Sequence, residues 1–381
     1  MKKIFLAACS LVLMAACVND DQYTWEEHFA DKTATDTIRI AIRFDGQQVG
    51  VTGDQYGYVS VSGTDVTVKS STNRFLQLEL SGESSDGSLL IYSWKKLGLL
   101  LNGLSLTNAD GPAINNQCGK SLYVETVSGT ENTLADGTAY ADAPTNAKGE
   151  AIDQKATLFS EGQVYLCGEG TLVVNGYAKN GIASDDYLVM EGGVVEVNMA
   201  ETASNGIKVN DGLTVNGGTL TIDVKAEGAR GVKCDSYTTI SGGTTTITTS
   251  GHCLIETLDG VSDTTSCAGI KSDSLFTMTG GTLTITSSGD GGKGINCAQD
   301  IVMKGGTMTV ETIGDNEVGK PKAVKSDTGI ILSGGSFTAT TLKSWACDNG
   351  TETDDPAQRV TIEGTPAVEP ILEKQNVVVV F

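Results

Sequence analysis

Between residues 180 and 345 one short phrase is written six times, and that repetition limits what the chain can fold into more than any other property. The clearest copy reads Gly206-Ile207-Lys208-Val209-Asn210, then Leu213-Thr214-Val215, a corner at Gly217-Gly218, and Thr219-Leu220-Thr221-Ile222-Asp223-Val224. Its opening recurs at Gly181, Gly206, Gly231, Gly269 and Gly294, with Ala323 in the equivalent place. A double glycine follows at a constant offset, at Gly192-Gly193, Gly217-Gly218, Gly242-Gly243, Gly280-Gly281, Gly305-Gly306 and Gly334-Gly335. A period of about 25 residues with β-branched alternation and glycine corners marks stacked turns, each burying its inner face only against its neighbours.

Within a copy the side chains alternate with period two, the geometry of strands. Aligned copies give three apolar columns. Ile182, Ile207, Val232, Ile270, Ile295 and Val324 form one; Met190, Val215, Ile240, Met278, Met303 and Leu332 another; Val197, Ile222, Ile247, Ile285 and Val310 the third. Three columns on three short strands per turn predict an all-β, single-stranded parallel β-helix, with strands about 4.8 Å apart along the axis.

The 381 residues thus make one solenoid rather than two ordinary domains. A net charge of -21 argues against nucleic acid as a partner, because a phosphate backbone would be repelled. It leaves neutral ligands, or acidic ligands bridged by a divalent cation.

Residues 1–17 read as an export signal: Lys2 and Lys3, an apolar run from Ile4 to Ala16, then Cys17. Leu13-Met14-Ala15-Ala16-Cys17 resembles a bacterial lipobox, which implies Cys17 as the lipidated first residue of a mature outer-membrane lipoprotein; the alternative is an ordinary cleaved signal. The acidic stretch Val18-Asn19-Asp20-Asp21 resembles a surface-export tether, so the expected location is the cell surface, with the membrane reached only through the lipid. Residues 18–50 are expected to form a linker and a first edge strand, residues 51–347 the β-helix, and residues 348–381 a C-terminal cap whose last strand folds back on the coil. The expected state is a monomer.

The runs Leu99-Leu100-Leu101-Asn102-Gly103-Leu104-Ser105-Leu106-Thr107-Asn108-Ala109-Asp110-Gly111 and Gly129-Thr130-Glu131-Asn132-Thr133-Leu134-Ala135-Asp136-Gly137 are continued by Gly168 to Val174 and by the Gly-Ile-Lys repeats. Together they resemble a family of bacterial carbohydrate-binding domain proteins. The resemblance implies a pectate-lyase-like right-handed β-helix with bound calcium (Ca2+), similar to binders of cellulose and acidic pectic polysaccharide. Its motifs are specific for the fold and less so for the ligand.

Outward-facing columns are where chemistry can sit. Lys208, Lys233, Lys271 and Lys325 form one; two residues on, Asp185, Asn210, Asp235, Asp273 and Asp327 form its neighbour. Positions two apart on a strand share a face, so the columns are parallel ladders of opposite sign. One reading is mutual neutralisation, at about 0–1 kcal/mol per pair. The other is a line of hard oxygen ligands for calcium, supplemented by Asp186 and Asp211 beside the column.

Tyr187 and Tyr237 occupy the same place in turns two apart, with Gly212 between, a spacing of roughly 10 Å that suits alternate sugars of an extended chain. With Lys208, Lys233, Lys271 and the near-terminal Trp345 they are the candidate carbohydrate contacts; surface tyrosines filling strand ends are the plainer alternative. An insertion between the third and fourth copies carries His252, with Cys253 and Cys267 placed where a bridge is one option. A calcium-dependent polysaccharide lyase using a lysine base is the enzymatic alternative. Interchangeable lysines beside carboxylates argue against it, since a base needs a lowered pKa and catalysis a unique constellation. A purely adhesive β-helix is the other alternative.

Overall fold

A computed structural model describes residues 36–381 apart from 259 and 266; Cys17 and the export segment lie outside the described residues. The chain from Thr37 to Phe381 is a single-stranded right-handed parallel β-helix of about 11 turns, with one short 3-10 turn at Pro356–Arg359.

Three ladders of strands make the coil. The first runs from Asp65–Ser70 to Trp345–Asp348, the second from Leu122–Thr126 to Thr361–Ile362, and the third from Glu131–Asp136 to Ser336–Thr341. All rungs are parallel and in register: Ile182 pairs with Ile207, Ile207 with Val232, and Val232 with Ile270. Every member of the three apolar columns is at most 1% exposed.

The glycines follow from this stacking. At each corner the second glycine has a positive φ, 78° at Gly218, a region costly for any residue with a Cβ. From the second corner on the first glycine is needed for space, since a Cβ on Gly217 would lie 2.6 Å from the Glu191 carbonyl oxygen of the turn before. The opening glycines make room for the core, a Cβ on Gly206 falling 2.5 Å from Ile222 Cγ2.

In the early turns the second and third ladders are not yet separate. Leu97–Asn108 is one long strand whose first half pairs with Leu122–Thr126 and whose second half pairs with Glu131–Asp136. The glycine corner that later divides them is absent there, which is why this part of the sequence does not align with the six clear copies.

The ends differ in one respect from expectation. Thr37–Asp45, expected as the first edge strand, lies between Phe75–Ser84 and an antiparallel partner, Gln48–Thr52, so the edge is the latter strand. At the other end Asn376–Val380 folds back antiparallel on Ser336–Thr341 and closes the third ladder. Hairpin closure of this kind leaves less unpaired backbone at the coil ends.

Candidate carbohydrate-binding surface

Tyr187 begins a strand of the second ladder, in register with Gly212 and then Tyr237. The two rings have different surroundings. Tyr237 lies over Gly212, its ring atoms 2.6–2.9 Å from where a Cβ would stand, so the glycine makes room for the ring. Tyr187 instead meets Tyr165 edge-on, centroids 5.9 Å apart and hydroxyls 2.8 Å apart. Tyr165 stacks on Tyr123 at 4.9 Å, and Tyr123 meets Phe75 at 6.3 Å.

An aromatic line therefore runs along the coil, buried at Phe75 and Tyr123 and opening to solvent at Tyr187, while the exposed Tyr237 stands apart from it two rungs further on. Aromatic pairs in offset or edge geometry hold each other rigidly. Sequence reasoning missed Tyr123 and Tyr165. The matched triplets Leu122-Tyr123-Val124 and Val164-Tyr165-Leu166, equivalent to Leu188-Val189-Met190, were the available signal.

Asp186 and Asp211 stand beside this line in consecutive turns. Tyr187 N donates to Asp186 Oδ1 at 3.0 Å, and Gln163 Nε2 donates to the other oxygen. Burial pushes the Asp186 carboxyl above its usual range, and the neighbouring Asp211 carboxylate adds to the shift. Burial, followed by nearby groups including Asp211 and Asp186, also raises the Tyr237 phenol, which stays a hydroxyl donor. Among the described residues neither carboxylate has an ion-pair partner.

The other proposed oxygen ligands are in a different situation. Lys208 contacts Asp235 and donates to Asn210 Oδ1 at 2.9 Å; Lys233 lies 4.0 Å from Asp235. Lys271 contacts Asp273, and Lys325 lies 2.6 Å from Asp327. Asp185 groups with Asp153 and Glu161 closely enough to hold a cation, but Lys155 is already there, 2.6 Å from Asp153 and in contact with Asp185. Most of the acidic column is thus the neutralised ladder, and its lysines are engaged with it.

The lysine column has a covered end. Ala183 and Phe159 precede Lys208 on the same outward column, yet both are buried and, with Ala156, form a cluster apart from the interior. Residues 153–155 are tied across this face: the Asp153 carbonyl accepts from Asn115 Nδ2 at 3.0 Å, and Lys155 Nζ lies 5.3 Å from the Phe159 ring.

Trp345 is engaged by cations rather than open for sugar stacking: Arg359 Cζ lies 3.9 Å and Lys374 Nζ 4.9 Å from its ring centroid. Cys253 and Cys267, weighed as a bridge, are buried free thiols at the base of the hairpin Leu254–Leu258 and Val261–Thr265.

The three ladders define a single-stranded parallel β-helix. A solved structure described as the polysaccharide lyase-like protein from C. thermocellum, a gadolinium derivative, superposes with a TM-score of 0.55 and 23% identity, covering 70% of this chain and 97% of that one. A family model described as carbohydrate-binding domain-containing protein matches residues 62–253 and 221–317. The chain belongs to that family. A carbohydrate-binding domain-containing protein of Acetivibrio thermocellus is 27% identical over 200 residues, which is 52% of this chain and 65% of the relative's own length.

Proposed function

We propose that this protein is a non-catalytic, cell-surface polysaccharide-binding protein for plant cell-wall type glycans, cellulose or acidic pectic chains. The observation that carries the reading is the packed aromatic line that surfaces at Tyr187, with Tyr237 exposed two rungs on, beside two carboxylates without a cation partner among the described residues. Apolar sugar faces lie on the rings, and the flanking carboxylates and amides take sugar hydroxyls.

Calcium assists at the same place. Asp186 and Asp211 are hard oxygen donors whose mutual repulsion is relieved by a divalent cation, whereas the lysine-paired column offers no such relief. The ion, when bound, supplies positive charge to a uronate carboxylate. The lysine ladder plays no catalytic part.

A glycan array of neutral and acidic plant polysaccharides, run with calcium and with EDTA, tests this. Binding is expected to fall about tenfold for each of Tyr187→Ala and Tyr237→Ala, corresponding to about 1.4 kcal/mol per ring. Asp186→Asn with Asp211→Asn should abolish the EDTA effect. Equal binding by the tyrosine variants would rule out this surface, and release of unsaturated uronides followed by absorbance would overturn the non-catalytic reading.

The protein reaches the surface as a monomeric lipoprotein anchored through Cys17, as the apolar run ending in Leu13-Met14-Ala15-Ala16-Cys17 supports. Labelling with palmitate is expected in the wild-type chain and absent in Cys17→Ala. Label that persists in the variant would sink the anchor.

A further inference from the structure

We propose that a groove at the C-terminal end of the coil is a second binding site, taking the oxyanion of an acidic saccharide. It has a volume of about 550 Å3 and is lined by Lys320, Lys322, Trp345, Asp348, Arg359 and Lys374 among others. That volume suits a small ligand or the end of a chain.

The charge is the first argument. The whole chain carries -21, yet here four cations face two carboxylates, Asp348 and Glu352. Asp348 is shared, accepting from Lys322 Nζ at 2.5 Å and Arg359 Nη1 at 2.8 Å, so one carboxylate serves two buried cations. Lys320 has no ion-pair partner among the described residues, and Lys374 has only the Trp345 ring. A surplus of positive charge in a concave, partly desolvated place attracts anions more strongly than the same charges on an open surface.

The second argument is preorganisation. Arg359 is held by the Thr353 carbonyl, which accepts from Nη2 at 2.7 Å and Nε at 3.2 Å, while its guanidinium carbon lies 3.9 Å from the Trp345 ring centroid. Lys322 and Trp345 are adjacent rungs of the first ladder, so their separation is set by the coil itself. Ser344, also in the lining, has φ 70°, the one non-glycine positive φ among the described residues. Strain of that kind costs about 1–3 kcal/mol and persists where the surroundings hold a site in shape.

Packing explains Arg359, Asp348 and Trp345 as parts of the cap. It does not explain Lys320, which is exposed; Lys374, also exposed, reaches the groove from a separate element and has only the Trp345 ring beside it. They supply the charge that a carboxylate or sulfate would meet.

The sugar part of this inference rests on the polysaccharide reading above; the oxyanion part does not. Calorimetric titration of the full chain with an oligogalacturonide, with sodium sulfate and with a neutral cello-oligosaccharide separates the two. The oligogalacturonide is expected to bind in a salt-sensitive manner. Its affinity should fall at least about tenfold in Lys320→Gln/Lys374→Gln, a loss of about 1.4 kcal/mol, with neutral-sugar binding unchanged. Both lysines are exposed, so the variant should fold, and an unchanged melting temperature checks this. Competition by sulfate assigns a general oxyanion site; no competition assigns a carboxylate site. The tyrosine variants should keep this binding even if the aromatic surface proves irrelevant. Sulfate binding without oligogalacturonide binding would overturn the sugar part alone; an affinity unaffected by the double substitution, or the absence of both oligogalacturonide and sulfate binding, would overturn the proposal.

Discussion

Asp348→Asn is expected to lower the stability of the C-terminal cap by about 3–5 kcal/mol, because it leaves Lys322 and Arg359 buried without their shared anion. Both side chains are under a tenth exposed, so water does not replace the lost carboxylate. The Asp348 carboxyl is subject to burial, which raises its pKa, but the Lys322 hydrogen bond and the two cations together hold it below the usual aspartate range. Burial pushes Lys322 down despite its partner, yet a 2.5 Å contact to a depressed carboxylate is the geometry of an ion pair.

A depressed carboxyl contributes stability above the unfolded aspartate value, about 3.9, and loses it as pH falls through the lower folded value. Acid should therefore loosen the cap in wild type, while Asp348→Asn should flatten that part of the pH dependence. Adding Lys322→Met to the asparagine variant should recover part of the loss, since the stranded charge goes too. Denaturant unfolding at neutral and acidic pH reads all three outcomes. A variant as stable as wild type at neutral pH would show that the network contributes nothing.

Ile222→Ala should cost about 2–5 kcal/mol, the range for truncating a fully buried aliphatic side chain. Ile222 sits between Val197 and Ile247 in the third ladder, and its Cγ2 fills the space above Gly206. The cavity thus opens against two neighbouring turns and an opening glycine. In a stacked coil each turn is held by its neighbours, so the weakness should spread along the axis. Hydrogen exchange should speed first in the turns around residues 197, 222 and 247. Uniform exchange across the coil would instead indicate a single cooperative unit.

The two candidate surfaces show how the sequence can mislead about function while being right about fold. Asp185 and Asp186 are adjacent, and nothing in their order distinguishes them. In space Asp185 meets Lys155, from a loop 30 residues away, while Asp186 faces Asp211. Tyr123 and Tyr165 escaped because residues 137–155 interrupt the period just where the aromatic line is laid down. Phe159 occupies an outward column position, yet the segment at 153–155 covers it.

The sequence by itself determined the coil: its three inner columns, its stack of turns, its glycine corners and the opposite-signed outer ladders. Strand alternation and a fixed period are local properties, so they can be counted along the chain. Only the tertiary structure decided which carboxylates already have cations, which tyrosines join into one line, and where a basic groove opens in an acidic protein. Those outcomes depend on side chains from different turns and loops meeting in space, and no single stretch of chain carries that information.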